Sequence, residues 1–331
     1  MKTNQPLSGR GRINRINPFV DWGFKFLFGR EENKDLLLDF INQLLEPEVR
    51  IQNLDYINTE LTPDAPDLKR CVVDVLATDE AGNRYLIEMQ NVEKQDIRQR
   101  LVYYACRLVD QMGRHASDWH YGQIKKVYAI CLMNFNYERE DPVLRCDYQL
   151  RSADGKRLFS DLLTIIPLQI PCIHADSPSE YRKSYEFWLF LLKSLSNRMK
   201  TKEQLLEEVD GFQHISEETK ALFRKVINTV EADLPAEQRR DYEMALIQYQ
   251  DTIEEYRTAL EKGMAKGREE GRVEGRKEGR EEGREEGRKE GREEGREEAF
   301  VETAKALKAE GIDVSVIVKC TGLSAAEIQG L

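Results

Sequence analysis

The chain has 331 residues, 40% of them apolar and 33% charged, with a formal net charge of -10. That length suffices for one large domain with a full-sized core and room for a smaller unit, which excludes a mini-protein. The acidic balance excludes a protein that coats nucleic acid nonspecifically, but leaves room for a local basic groove, because phosphate binding follows the local field.

The start, "MKTNQPLSGRGRINRIN", is basic, has no apolar signal-peptide core, and reads as a leader over residues 1–16. No apolar run approaches the roughly 18–20 residues of a membrane span, so a cytoplasmic protein is expected. Short basic groups at Arg10, Arg12 and Arg15, at Lys69 and Arg70, at Arg98 and Arg100, and at Lys125 and Lys126 read as solvated surface. "NPFVDWGFKFLFG" is an aromatic-rich segment, followed by an amphipathic helix over 33–45 that Pro47 ends. "VRIQNLDYIN" reads as a strand and "TELTPDAPDLKR", with two prolines, as a loop.

Strands are predicted over 71–77 and 84–91, flanking "TDEAGN", where Gly82 and Asn83 supply the positive φ of a tight turn. A hairpin with about five loop residues then centres on Ala81 and sets Asp74 directly opposite Glu88. Helical spacing follows over 96–112, a strand buried on both faces over 126–135, and shorter strands over 143–151 and 164–171. A long helix covers "SEYRKSYEFWLFLLKSL", and 201–260 is helical throughout. The fold class is α/β: a mixed sheet with helices beside it, then an all-helical C-terminal region with a long charged helix.

Six cysteines (Cys71, Cys106, Cys131, Cys146, Cys172, Cys320) contain no CxxC pair, and the four histidines (His115, His120, His174, His214) lack metal spacing. Reduced, mostly buried thiols are expected, with neither a zinc site nor a disulfide frame. The chemistry concentrates instead on the hairpin, where Asp74, Glu88 and Gln90 share one face. Two carboxylates a few ångström apart repel, and a divalent cation such as Mg2+ is the usual compensation: it takes oxygen ligands, keeps several waters and makes a water a better nucleophile toward phosphorus. The Gln90 amide is suited to orienting that water. The other reading of the same spacing is a hairpin with one wet face, on which both acids are simply solvated.

The motifs "DWGFKFLFG" at 21–29, "VDV" at 73–75, "IEMQ" at 87–90 and the helix bearing Tyr103 and Tyr104 resemble the Rpn family of recombination-promoting nucleases and transposases, within the PD-(D/E)XK nuclease superfamily. The resemblance implies a restriction-endonuclease-like core over 17–200 and metal-assisted hydrolysis of DNA phosphodiesters. It implies Asp74 and Glu88 as metal ligands, joined by the Met89 carbonyl, with Mg2+ or another divalent cation as cofactor. Gln90 stands where the wider superfamily has lysine, which removes a cation and implies slow turnover. Asp21 and Lys25 match the leading D-x-x-F-K motif; they assist metal and phosphate binding or, on the plainer reading, cap a helix and sit on the surface. The alternative from another class is a catalytically weak or inactive nuclease fold acting as a DNA-binding or oligomeric assembly module. An RNA substrate is a further option.

Beyond a helical extension over 201–262, glycine recurs every fourth residue through 263–298, in units such as "GREE". Fully helical, the repeat extends about 50 Å, with no apolar stripe and glycines that each cost about 1 kcal/mol relative to alanine. Glu269 and Arg272, with their repeats, are favourable i,i+3 pairs. The segment reads either as a glycine-allowed close helix pair (a coiled coil) joining subunits of a homo-oligomer or as a solvated charged helix. Residues 299–331 read as a small helix-turn-helix-like unit whose last helix carries Glu327 and no basic residue suited to reading a groove.

Overall fold

The computed structural model describes residues 15–61, 71–113, 120–137, 140–174 and 181–331. Most of the basic leader, the loop after Leu61, Lys69, Arg70 and His115 lie outside the described residues. The chain divides into two compact units, Met1–Tyr256 and Arg257–Leu331.

In chain order the first unit contains α1 (Asp21–Phe28), α2 (Lys34–Leu45), β1 (Leu54–Tyr56), β2 (Glu60–Leu61), β3 (Cys71–Val72), β4 (Val75–Asp79) and β5 (Arg84–Gln90). There follow α3 (Ile97–Met112), β6 (Val127–Met133), β7 (Tyr148–Arg151), β8 (Leu158–Gln169), α4 (Ser184–Ser196), α5 (Lys202–Gly211) and α6 (Glu217–Val230). Six strands form one sheet in the order β1-β4-β5-β6-β8-β7, and β2 pairs with β3 in a separate ribbon. The β5–β6 and β6–β8 pairs are parallel and the others antiparallel, so the sheet is mixed as expected. Parallel neighbours need a crossover, and α3 supplies the one between β5 and β6.

That crossover gives the central strands two buried faces. On one, Tyr85, Ile87, Met89, Ile130 and Leu132 join the main core with α1, α2, α4 and α6, where Trp188 meets Phe223 edge-on at 4.8 Å. On the other, Leu76, Leu86, Val127 and Ala129 pack with Ala105 and Leu108 of α3, while Ile97 and Leu101 pack with Cys131 and Met133. α1 is pressed close to the chain before it: a Cβ on Gly23 would lie 2.2 Å from the Asn17 carbonyl oxygen, so this position admits only glycine. The Asn91 side-chain amide, just past β5, donates to the Phe19 carbonyl at 2.7 Å and ties α1's approach to the end of that strand.

Several expectations need correction. The predicted strand over 71–77 is broken at Val73 and Asp74, so that β3 and β4 belong to different sheets; the Asp74 carboxylate, instead of a backbone carbonyl, accepts the Met89 N–H at 2.8 Å. In the hairpin turn only Gly82 has positive φ, at 87°, and Asn83 does not. β8 starts at Leu158, six residues before the predicted strand, because its first part pairs with β7 alone. Arg15 is no leader cation: it is 4% exposed, paired with Glu231 and donating to the Asn197 and Lys200 carbonyls. Only Cys71 and Cys131 are buried thiols; Cys106 and Cys320 are exposed.

Helix α7 (Ala236–Ala309) starts in the first unit, where Tyr242 is buried and donates to the Arg15 carbonyl. In the second unit the tetrad segment is helical, and a Cβ on any glycine from Gly263 to Gly295 would meet nothing within 4 Å. Arg272 makes the expected i,i+3 pair with Glu269, bonding both oxygens at 3.0 and 2.8 Å. α8 (Val314–Thr321) and α9 (Ala325–Gly330) share a small core with the end of α7 through Ala304, Ile317 and Ile328. Ser324 and Glu327 form a capping box at the last helix. Among the described residues no helix is long and apolar enough to cross a membrane.

Candidate functional site

Alternation along β5 sends Tyr85, Ile87 and Met89 into the main core and Leu86 and Glu88 toward α3. The hairpin ladder pairs Thr78 with Arg84 and runs to Val75 with Ile87. One further step sets Asp74 opposite Glu88, the register expected from a turn centred on Ala81. Glu88 is 4% exposed and the Asp74 side chain 14%, so the wet-face reading of the hairpin does not hold.

Both acids are held in place by groups of β5. Asp74 Oδ2 accepts the Met89 N–H at 2.8 Å, so the strand break that precedes β4 is also what aims the carboxylate. Glu88 Oε2 accepts from the Gln90 amide nitrogen at 3.1 Å, while Glu88 Oε1 is buried without a hydrogen-bond partner. α1 contributes the next shell of charge: Lys25 Nζ lies 2.8 Å from Asp21 and 3.5 Å from Asp74 Oδ1. Asp21 makes no side-chain cap at the start of α1, and Lys25 is not a free surface cation but a bridge between two acids.

The electrostatics follow from this crowding. Burial, reinforced by the Asp74 charge, pushes the Glu88 carboxyl up to about 8; Arg100, the Asp74 backbone N–H and Lys25 offset this only in part. Burial also raises Asp74, to about 6, against the pull of the Met89 N–H; Asp21 adds to the rise and Lys25 opposes it. Burial works against the Lys25 charge, yet its bonds to Asp21 and Asp74 outweigh that and raise its pKa. Asp74, Glu88 and Asp21 outnumber the two cations near them, Lys25 and Arg100, and one buried carboxylate oxygen stays unsatisfied.

Arg100 also belongs here, although basic residues at 98 and 100 read as solvated surface. Its Nε is buried without a partner, and its guanidinium carbon lies 5.9 Å from the Tyr104 ring centroid. A signal was present in the sequence: Arg100 and Tyr104 are four residues apart, beside the buried stripe Ile97, Leu101, Ala105 and Leu108. Arg98, by contrast, is exposed and lies over the Tyr137 ring at 4.4 Å.

The donor set fits a hard divalent cation. Asp74 and Glu88 offer oxygen ligands, and the bare Glu88 Oε1 is a buried acceptor that a cation would satisfy. Among the described residues no group of three or more His, Cys, Asp or Glu side chains converges.

Neither a curated protein nor a solved structure matches the chain. The profile of the PD-(D/E)XK nuclease family transposases matches residues 18–259, a span that takes in α1 to α6, the whole sheet and the first part of α7, and extends past residue 200. A mixed six-stranded sheet flanked by helices, two acids facing each other at the open end of the β4–β5 hairpin and a match over most of its length lead to one conclusion: the chain belongs to the PD-(D/E)XK nuclease family transposases.

Proposed function

We propose that the protein is a Mg2+-dependent DNA endonuclease acting in recombination or transposition, in the cytoplasm. The observation that carries this reading is the unsatisfied Glu88 Oε1, buried on the sheet face it shares with Asp74. An unmade hydrogen bond at a buried acceptor costs about 1–3 kcal/mol, and a bound cation removes that cost.

Asp74, Glu88 and the Met89 carbonyl would hold the cation, which would neutralise the acids and make the attacking water more acidic. The remaining steps belong to the chain. The Met89 N–H locks Asp74, and the Gln90 amide nitrogen locks Glu88, so neither acid needs to reorganise as substrate arrives. The Gln90 amide oxygen is suited to accept from the attacking water. The water oxygen bonds to phosphorus as the ester P–O bond breaks, its proton passes to solvent, and the leaving alkoxide takes one up. Lys25, half-exposed at 39%, is suited to meet a DNA phosphate while Asp21 orients it.

Purified Asp74→Ala is expected to lose Mg2+-dependent plasmid nicking and the heat of Mg2+ binding while keeping its circular dichroism. Nicking at the wild-type rate by that variant rejects the assignment. A Mg2+-binding protein that cuts neither DNA nor RNA would be a nuclease fold retained for binding or assembly. An RNA panel beside the plasmid decides the substrate class. Deleting 263–298 tests the homo-oligomer: unchanged mass in light scattering removes the helix-pair role of the tetrad segment.

A further inference from the structure

The reacting phosphodiester gathers negative charge on its non-bridging oxygens, and a hydrolytic site must present fixed positive charge or donors there. Lys25 is a poor candidate for that task alone, because Asp21 and Asp74 already flank its ammonium group. Gln90 carries no charge, and its amide nitrogen is engaged by Glu88.

Arg100 is differently placed. Its neighbour Leu101, together with Ile97, packs on Cys131, the residue that pairs with Glu88 in the parallel ladder. One turn on, Ala105 packs in the cluster that contains Leu86. Arg100 therefore stands on the part of α3 that crosses above Glu88. Both side chains keep a buried polar atom without a partner: the donor Arg100 Nε and the acceptor Glu88 Oε1. Arg100 draws on Glu88 through space, yet Arg100 Nε and Glu88 Oε1 do not bond each other, and two unmet groups of opposite sign on facing elements suit a ligand that carries both signs. A phosphodiester anion with its counter-cation is such a ligand: the anion accepts from arginine and the cation satisfies the carboxylate.

We propose that Arg100 is a catalytic residue, whose guanidinium donates to a non-bridging oxygen of the scissile phosphodiester and holds the charge that builds there as the P–O bond breaks. This rests on the hydrolytic reading of the Asp74 and Glu88 site. The test uses the full chain and three variants, Arg100→Gln, Arg100→Lys and Asp74→Ala, each checked by thermal melting. Nicking kinetics on supercoiled plasmid and Mg2+ titration calorimetry are measured for all.

The expected result is a loss of about 10²–10³-fold in kcat for Arg100→Gln, the size found when one charge-stabilising donor is removed, with Mg2+ affinity changed less than about threefold. Arg100→Lys recovers at least about tenfold of that loss, because a cation returns without the planar fork. Wild-type kcat in Arg100→Gln overturns the proposal. So does a fall in Mg2+ affinity that matches the fall in rate, which would make Arg100 a support for Glu88 only. Asp74→Ala separates the layers: if it alone is dead, the hydrolytic reading stands and this inference falls. If wild type itself never nicks, both fall.

Discussion

The two ends of one hairpin treat a buried acid in opposite ways. At the turn, Asp79 is 7% exposed and fully engaged: it accepts the Ala81 and Asn83 N–H groups at 2.9 and 2.8 Å, the Asn83 side-chain amide at 2.8 Å and the Tyr85 hydroxyl at 2.7 Å. At the open end, Glu88 is 4% exposed, accepts the Gln90 amide at 3.1 Å and leaves Oε1 bare. Burial is equal, so burial is not what marks a working acid. Asp79 organises a turn and stabilises the fold, whereas Glu88 costs stability until something positive arrives. Asp39, 2% exposed and bonded to Trp188 Nε1 at 2.8 Å, falls on the side of Asp79.

Four measurements test this contrast. The largest effect is expected for Asp74→Ala, with nicking down on the order of 10³-fold or more and no fall in melting temperature; a marked loss of stability would put Asp74 in the structural class with Asp79. Next comes Asp79→Ala, which orphans the Tyr85 hydroxyl and two turn N–H groups. It should cost about 3–4 kcal/mol in urea unfolding while the folded fraction nicks normally. A mutant as stable as wild type would dissolve the distinction between the two ends.

The third concerns pH. Glu88 ordinarily titrates near 4.5 and is raised to about 8 in the fold, so between these values the native chain binds the proton that the unfolded chain has released. Stability therefore falls as pH rises through that window, opposite to an acid held low by a salt bridge. In chelator, Glu88→Gln should gain about 1–3 kcal/mol over wild type at pH 8 and little at pH 4; a pH-independent difference would mean that the charge is not the cause. The smallest effect tests a position where nothing is buried. Gly279 sits in the exposed tetrad helix with open space around it, so Gly279→Ala should stabilise the local helix by about 1 kcal/mol or less, seen as slower amide exchange. Faster exchange, or a change of mass in light scattering, would reveal a close partner on the glycine face.

Particular residues show where reading the chain succeeded. Gly82 and a two-residue side-chain period were enough to predict the register that faces Asp74 with Glu88, because turn geometry and pleat are local. The break at Asp74 was not legible: its cause is a side chain taking the Met89 N–H fifteen residues away, in a stretch whose apolar pattern reads as unbroken strand. Arg15 looked like part of a basic leader because its partner, Glu231, is 216 residues distant. Arg100 carried a helical spacing signal, but only the crossover of α3 between β5 and β6 brings it over Glu88.

The chain alone specified most helices and central strands, the hairpin register and the helical tetrad segment, but not the break at Asp74, the β2 ribbon strand or the breaks between α5, α6 and α7. Tertiary structure alone decided that Glu88 is dry, that one of its oxygens is bare, and that Lys25 and Arg100 stand beside it. The physical reason is that desolvation and pairing of a charge depend on what packs against it from distant segments, and no local pattern encodes that neighbour.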